Sequence, residues 1–142
     1  MAFAACLTDR FLLDMANGVH QPGDTYKIAL YLKADATTLN KSLTAYTSTG
    51  ELPTANGYTR DDKVLADRVA ALSGHNLYID FSDPVWLVAS FSADAALIYN
   101  ASRSNAAMAV LDIGPTTSTN APFTVEFPAP GAGAAIVIQN PS

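Results

Sequence analysis

Runs of basic residues, paired cysteines, histidine clusters and long apolar stretches are all missing from this chain, and each absence removes a class of function. Eight Lys and Arg stand against thirteen Asp and Glu in 142 residues, for a net charge of −5. The positive residues are scattered and not interleaved with aromatics. Nucleic-acid binding, which depends on neutralising phosphates, is therefore not expected. A single cysteine, Cys6, can form neither an internal disulfide nor a CxxC metal or redox pair. Within Ala4-Ala5-Cys6-Leu7 it reads as a small buried hydrophobe. No apolar run reaches the ~18 residues of a membrane-spanning helix. The opening MAFAACL lacks a basic region and is interrupted by Thr8-Asp9-Arg10, so it does not read as a secretory signal. A soluble chain made in the cytosol, with no membrane association, is the expectation.

Charge itself is scarce: 15% of residues are Asp, Glu, Lys or Arg, where ~25% is usual. Ala, Thr, Ser and Asn take their place. The surface they make is soluble but weakly repulsive, which suits either a lightly charged monomer or close packing against neighbours. The length suits one domain able to bury a core without a disulfide or metal.

What is present is periodicity. Thr8 to Gly18 has the pattern of a helix, with Thr8 or Asp9 as N-cap, Phe11, Leu12, Met15 and Val19 at three- to four-residue spacing, and Asn17-Gly18 as a stop. After Gln21-Pro22-Gly23-Asp24 the period becomes two. In TYKIALYLK, Tyr26, Ile28, Leu30 and Leu32 alternate with Lys27, Ala29, Tyr31 and Lys33, which predicts a half-buried strand with a polar or partner-facing side. Thr37 to Thr59, punctuated by Thr49-Gly50, Pro53 and Asn56-Gly57, reads as a long surface excursion with short edge strands around Tyr46 and Tyr58. Lys63 to Leu72 fits either period and is assigned as extended because its neighbours are β. NLYIDF, VWLVASFSA, ALIYN, AAMAVLDIG, PFTVEFP and AAIVIQN follow, separated by turn residues. The expected fold is mainly β: an antiparallel β-sandwich of about seven or eight strands. Residues 1–25 form a short N-terminal helix or arm and residues 26–142 a single sandwich domain.

Catalytic chemistry has little to stand on. The two histidines, His20 and His75, each sit beside glycine in a turn and read as solvated; no nucleophile elbow accompanies them. Asp80 with Asp83, and Asp61-Asp62 with Asp67, are the only acid groupings. Asp83-Pro84 is turn-initiating chemistry, and Asp61-Asp62 lies beside Arg60 and Lys63 on a solvated face. No calcium loop or His/Cys cluster suggests a metal. Gly131-Ala132-Gly133 follows prolines and opens no helix, so it reads as a turn and not a phosphate cradle. No catalytic, cofactor-binding or metal-binding residue is assigned, and no enzyme activity is expected. Tyr46, Tyr58, Tyr78 and Trp86 offer two alternatives, a sugar-binding platform or core packing, with core packing the better fit.

The ordered strings YKIALY, AYTSTGE, ANGYT with KVL, DFSDPVW, ALIYN, AVLDIG, FTVEFP and AAIVIQ, spanning Tyr26 to Gln139, carry a resemblance. In order and spacing they resemble a family of small virion structural proteins of tailed bacteriophages, the capsid decoration or cement proteins. The resemblance implies a non-enzymatic protein on the outer surface of the head, made in the host bacterial cytoplasm. It implies a major capsid protein as partner and self-association, with a trimer favoured. A head–tail connector or tail component is the alternative within the virion, and a carbohydrate-binding module the alternative outside it. The island Asn100 to Asn105 matches a glycan sequon at Asn100-Ala101-Ser102, but without a secretory signal it reads as a hairpin loop. On a repeated capsid surface, Arg103 at its tip, Asn105 beside it, and Phe11 and Leu12 of the N-terminal segment become candidate intersubunit contacts.

Overall fold

The computed structural model describes residues 5–127 and 135–138. In chain order these form β1 (Cys6–Leu7), α1 (Asp9–Ala16), β2 (Tyr26–Tyr31), β3 (Val69–Ser73), β4 (Asn76–Asp80), β5 (Val85–Ala89), β6 (Ser92–Asn100), a 3-10 turn (Ala101–Arg103), β7 (Ala106–Thr117), β8 (Ala121–Thr124) and β9 (Ile136–Ile138). All strand pairings are antiparallel. A four-stranded sheet runs β1-β7-β6-β2, and two smaller sheets, β3-β4-β9 and β5-β8, face it. This is the mainly-β sandwich with one short helix that the periodicity predicts. The proposed turn at Gly131 to Gly133 lies outside the described residues.

The large sheet is buried on both faces. Tyr26, Ile28, Leu30, Ala96, Ile98 and Met108 point toward the small sheets and meet Ile79, Phe81, Trp86, Phe123 and Ile136. The opposite face, Ala29, Tyr31, Leu97, Tyr99 and Val110, packs under Ala36, Leu39, Leu43 and Tyr46. Here the structure corrects two readings. The alternate face of β2 is covered by the chain itself and is neither polar nor free for a partner. The 37–59 stretch is not a surface excursion: Leu39 joins the layer over that opposite face, Leu52 and Tyr58 enter the core between the sheets, and Glu51 is buried. Single bridges tie it down, Tyr31 to Glu51 and Ala45 to Ala106. Two glycines permit the close approach: Gly50 (φ +80°) and Gly57 (φ +94°), where an added Cβ would lie 2.3 Å from Asp35 O and 2.0 Å from Val88 O.

From Cys6 to Ala16 the N-terminal segment is likewise built in. Thr8 is the N-cap, accepting from Phe11 N at 3.0 Å, as capping chemistry predicts. Its hydroxyl also donates to Ala107 O (2.8 Å), and its N–H to Met108 O (2.9 Å). Those two carbonyls belong to residues at a register shift between β6 and β7, where Tyr99 faces Ala107 and Ile98 faces Ala109. Met108 O lies on the β1 side, where the Thr8 N–H extends the β1–β7 ladder past Leu7 and Ala109; the carbonyl at the bulge is Ala107 O, and the Thr8 hydroxyl supplies its partner. The helix then presses Phe11 (0% exposed) into the core and leaves Leu12 outside.

Gly57→Ala should lower unfolding stability in urea by roughly 1–3 kcal/mol from backbone strain alone, before the clash with Val88 O is counted. Gly23→Ala, in open space without positive φ, should leave the midpoint within about 0.5 kcal/mol of the parent. Equal effects at the two sites would show that the loop does not depend on this approach.

Candidate functional site

The polar groups of the described chain gather in two buried clusters. The first lies under the β6–β7 hairpin. Asn100 ends β6 fully buried, and its side-chain amide donates to His20 Nδ1 (2.9 Å) and to Asp24 Oδ2 (2.9 Å). Its Oδ1 accepts from Ser102 N (2.9 Å), closing the 3-10 turn. Arg103 reaches back to the same Asp24 in a two-pronged pair, Nε–Oδ2 2.8 Å and Nη2–Oδ1 2.9 Å. The Arg103 pair, helped by Asn100 and by Gln21 N, holds the Asp24 carboxyl well below the usual carboxylate range.

His20 sits behind this group, its ring 5.5 Å from that of Phe11. The acceptor role of Nδ1 toward Asn100 places the ring proton on Nε2. That nitrogen is 3.3 Å from Asp14 Oδ2 but is not aligned for a hydrogen bond, while Arg10 Nε holds the Asp14 carboxylate at 2.9 and 3.1 Å. Burial pushes the imidazole below its ordinary pKa, outweighing the pull of Asp14 and Asp24. The solvated turn histidine predicted from the sequence is thus a buried, neutral one.

The second cluster lies between the large sheet and its covering loop. Glu51 is buried and accepts from Tyr46 Oη (2.7 Å) and Tyr58 Oη (3.3 Å). Tyr58 Oη in turn accepts from Leu30 N (2.9 Å), and Tyr31 Oη donates to Thr47 O (2.6 Å). Tyr99 donates to Asp61, whose carboxylate also faces Lys27. Burial raises the pKa of Glu51 against the opposing hydrogen bonds from Tyr46 and Tyr58. These bonds seal the loop over the sheet; their donors and acceptors point at one another and not at an opening.

The remaining candidates disperse. Asp83 accepts from Phe127 N and Asp80 from Ala135 N, so both carboxylates brace main chain. Tyr58 and Trp86 are core residues, Tyr46 stacks on Tyr99 at 4.7 Å between ring centroids, and Tyr78 lies apart on β4; the four rings form no platform. A cavity of about 530 Å³ opens beside the second half of β7, with Leu111, Ile113, Val125 and Phe127 as apolar walls and Asp112 and Glu126 at its rim. Asp112 is held by Lys33 at 2.7 Å. No group of three His, Cys, Asp or Glu side chains arranged for a metal occurs among the described residues. No helix among them is long and apolar enough to cross a membrane.

Of the four candidate intersubunit contacts, Phe11 is buried inside its own subunit and is corrected to a core residue. Leu12 is exposed. Arg103 is engaged with Asp24 but partly open, and Asn105, at φ +57°, accepts from Tyr46 N through its main-chain oxygen (2.9 Å). Sequence reasoning missed the exposed apolar residues Leu13, Leu72, Leu87 and Val88. Adjacency alone gave no signal, since Leu97 and Ile98 are adjacent and both buried while Leu87 and Val88 are adjacent and both exposed.

Asn100→Ala should lower stability by roughly 1–3 kcal/mol for each buried partner left unpaired, measured by urea unfolding. A pH effect follows from His20. Its folded pKa lies below its unfolded value near 6.5, so its contribution is complete above about pH 6.5 and is lost as the pH falls through the window beneath. His20→Gln should therefore show a smaller loss of melting temperature than the parent between about pH 7 and 5; parallel curves would refute this role. Comparisons with protein-family models, with curated proteins and with solved structures find no match to this chain.

Proposed function

We propose that this chain is a non-enzymatic structural protein of a bacteriophage virion, of the capsid decoration or cement type. It binds the outer face of the major capsid protein lattice and stabilises the head. The reading rests on the resemblance, in order and spacing, of the series of strings from YKIALY to AAIVIQ to that family. The use of polar chemistry supports it. Asp14, Asp24, Glu51, Asp61, Asp80 and Asp83 all hold side chains or main chain of their own subunit. Among the described residues several large apolar side chains also face outward, Leu12, Leu13, Leu72, Leu87 and Val88 among them. Groups of that kind gain free energy by being covered, at roughly 25 cal/mol per Å², and a stapling protein acts by covering area on its partner.

Self-association belongs to the same reading. A trimer requires a head-to-tail contact between two different patches, whereas like-to-like contact closes as a dimer. The alternative within the virion is a head–tail connector or tail component.

The deciding measurement is copy number in purified particles by quantitative mass spectrometry against the major capsid protein. A cement protein occupies the icosahedral lattice and should be present on the order of hundreds per particle; a connector ring would give about six to a few dozen. Absence from particles altogether would end the virion reading.

A further inference from the structure

The β3–β4 hairpin carries an edge that the other described residues leave open. β3 is the outermost strand of its sheet. A two-residue turn joins it to β4, with Gly74 at φ +61° in the first central position, so Ser73 and Asn76 flank the turn. In such hairpins the flanking residues form the closely hydrogen-bonded pair, and the pattern alternates from there. Val69, Ala71 and Ser73 thus direct their main-chain groups at β4, and Ala70 and Leu72 direct theirs outward. Among the described residues, neither Ala70 nor Leu72 makes a backbone hydrogen bond outside the ladder.

The side chains do not protect this edge. Val69 is 49% and Leu72 71% exposed, and no Asp, Glu, Lys, Arg or Pro occurs from Val69 to Ile79. Edges that stay single in water are blunted by charges, prolines or bulges within the strand. Here the irregularity comes only before the strand, at Asp67 (φ +57°), and β3 pairs with β4 in unbroken register.

We propose that β3 pairs antiparallel with β3 of a second copy of this chain, about a two-fold axis at Ala71. The outward groups are self-complementary in this register. Ala70 and Leu72 of one copy face Leu72 and Ala70 of the other as hydrogen-bonded pairs, and Ala71 faces Ala71 between them. The large Leu72 lies against the small Ala70, and all five residues of β3 are paired; an axis at Ala70 or Leu72 would pair only the three residues nearest it. Just beyond the strand, Asp67 of one copy comes level with His75 of the other. Both are exposed; Asp67 takes the Ser82 hydroxyl on one oxygen, and a carboxylate facing an imidazole twice across the axis is a hydrogen-bonding match that other registers lack. The pairing is a property of the isolated chain and stands whether or not the capsid reading does.

The test uses the full chain carrying Cys6→Ser. At a non-hydrogen-bonded antiparallel pair the Cα atoms lie about 4.5 Å apart, within disulfide range. Ala71→Cys should form an interchain disulfide under mild oxidation. Ala70→Cys and Leu72→Cys should not, since each lies diagonally from its own copy at about 7 Å or more. Without added cysteine, light scattering should give twice the 14.9 kDa chain mass. Leu72→Lys should return the mass to that of a monomer while circular dichroism keeps the parent spectrum. Leu72→Pro, which removes only an outward N–H, should do the same. A monomeric parent at high concentration, or cross-linking at position 70 or 72 in place of 71, would overturn the proposal.

Discussion

The pairing of β6 with β7 governs the rest of the molecule, because this ladder is buried on both faces at once. A strand with one wet face can place polar residues there, but these two have no such face from Ala95 to Asn100 and from Ala106 to Val110. Their middle is therefore apolar without alternation, and much of it is alanine: Ala93, Ala95, Ala96, Ala106, Ala107 and Ala109. Small side chains let a sheet layer on one side and an irregular layer on the other approach the same backbone. The two buried residues of the pair that carry hydrogen-bonding side chains, Tyr99 and Asn100, each have a long-range partner, Asp61 and His20 respectively. Every covering segment is then obliged to bring its own hydrogen-bonding solution, since water cannot reach the interior to supply one.

Two segments meet that obligation in different ways. Thr8 serves a helix and a bulge with one hydroxyl, accepting on one side and donating on the other. The 37–59 layer uses tyrosines, whose rings fill the apolar contact while their hydroxyls reach Glu51, Asp61 or main-chain carbonyls. Tyrosine suits a layer that has no regular ladder of its own, for it joins burial and hydrogen bonding in one side chain.

Local features of the fold were legible in the sequence because their causes are local. The Thr8 cap, the Asn17-Gly18 stop, the period of two in YKIALY and the hairpin around Asn100 to Asn105 all depend on residues within a few positions of each other. What the sequence concealed depends on residues far apart. His20 and Asn100 are eighty positions apart, and nothing beside His20 signals that Asn100 will arrive. The Thr-rich stretch looked solvated because its small polar residues are those of surface loops; only the positions of Leu39, Leu52 and Tyr58 under that polar cover built it into the fold. Trp86 illustrates the same limit, since alternation assigns it a face but not what lies opposite.

Gly57 draws a practical boundary around the molecule. Foreign peptides are commonly displayed by inserting them into long irregular loops, where the chain is assumed to have slack. The longest irregular stretch between elements here has none at that point: its backbone rests against Val88 O with no room for a methyl group. An insertion there would part the loop from β5 and pull Tyr58 from the core it shares with Trp86 and Phe91. Tolerance for added sequence is set in this fold by how tightly a loop is seated, not by its length or its polarity.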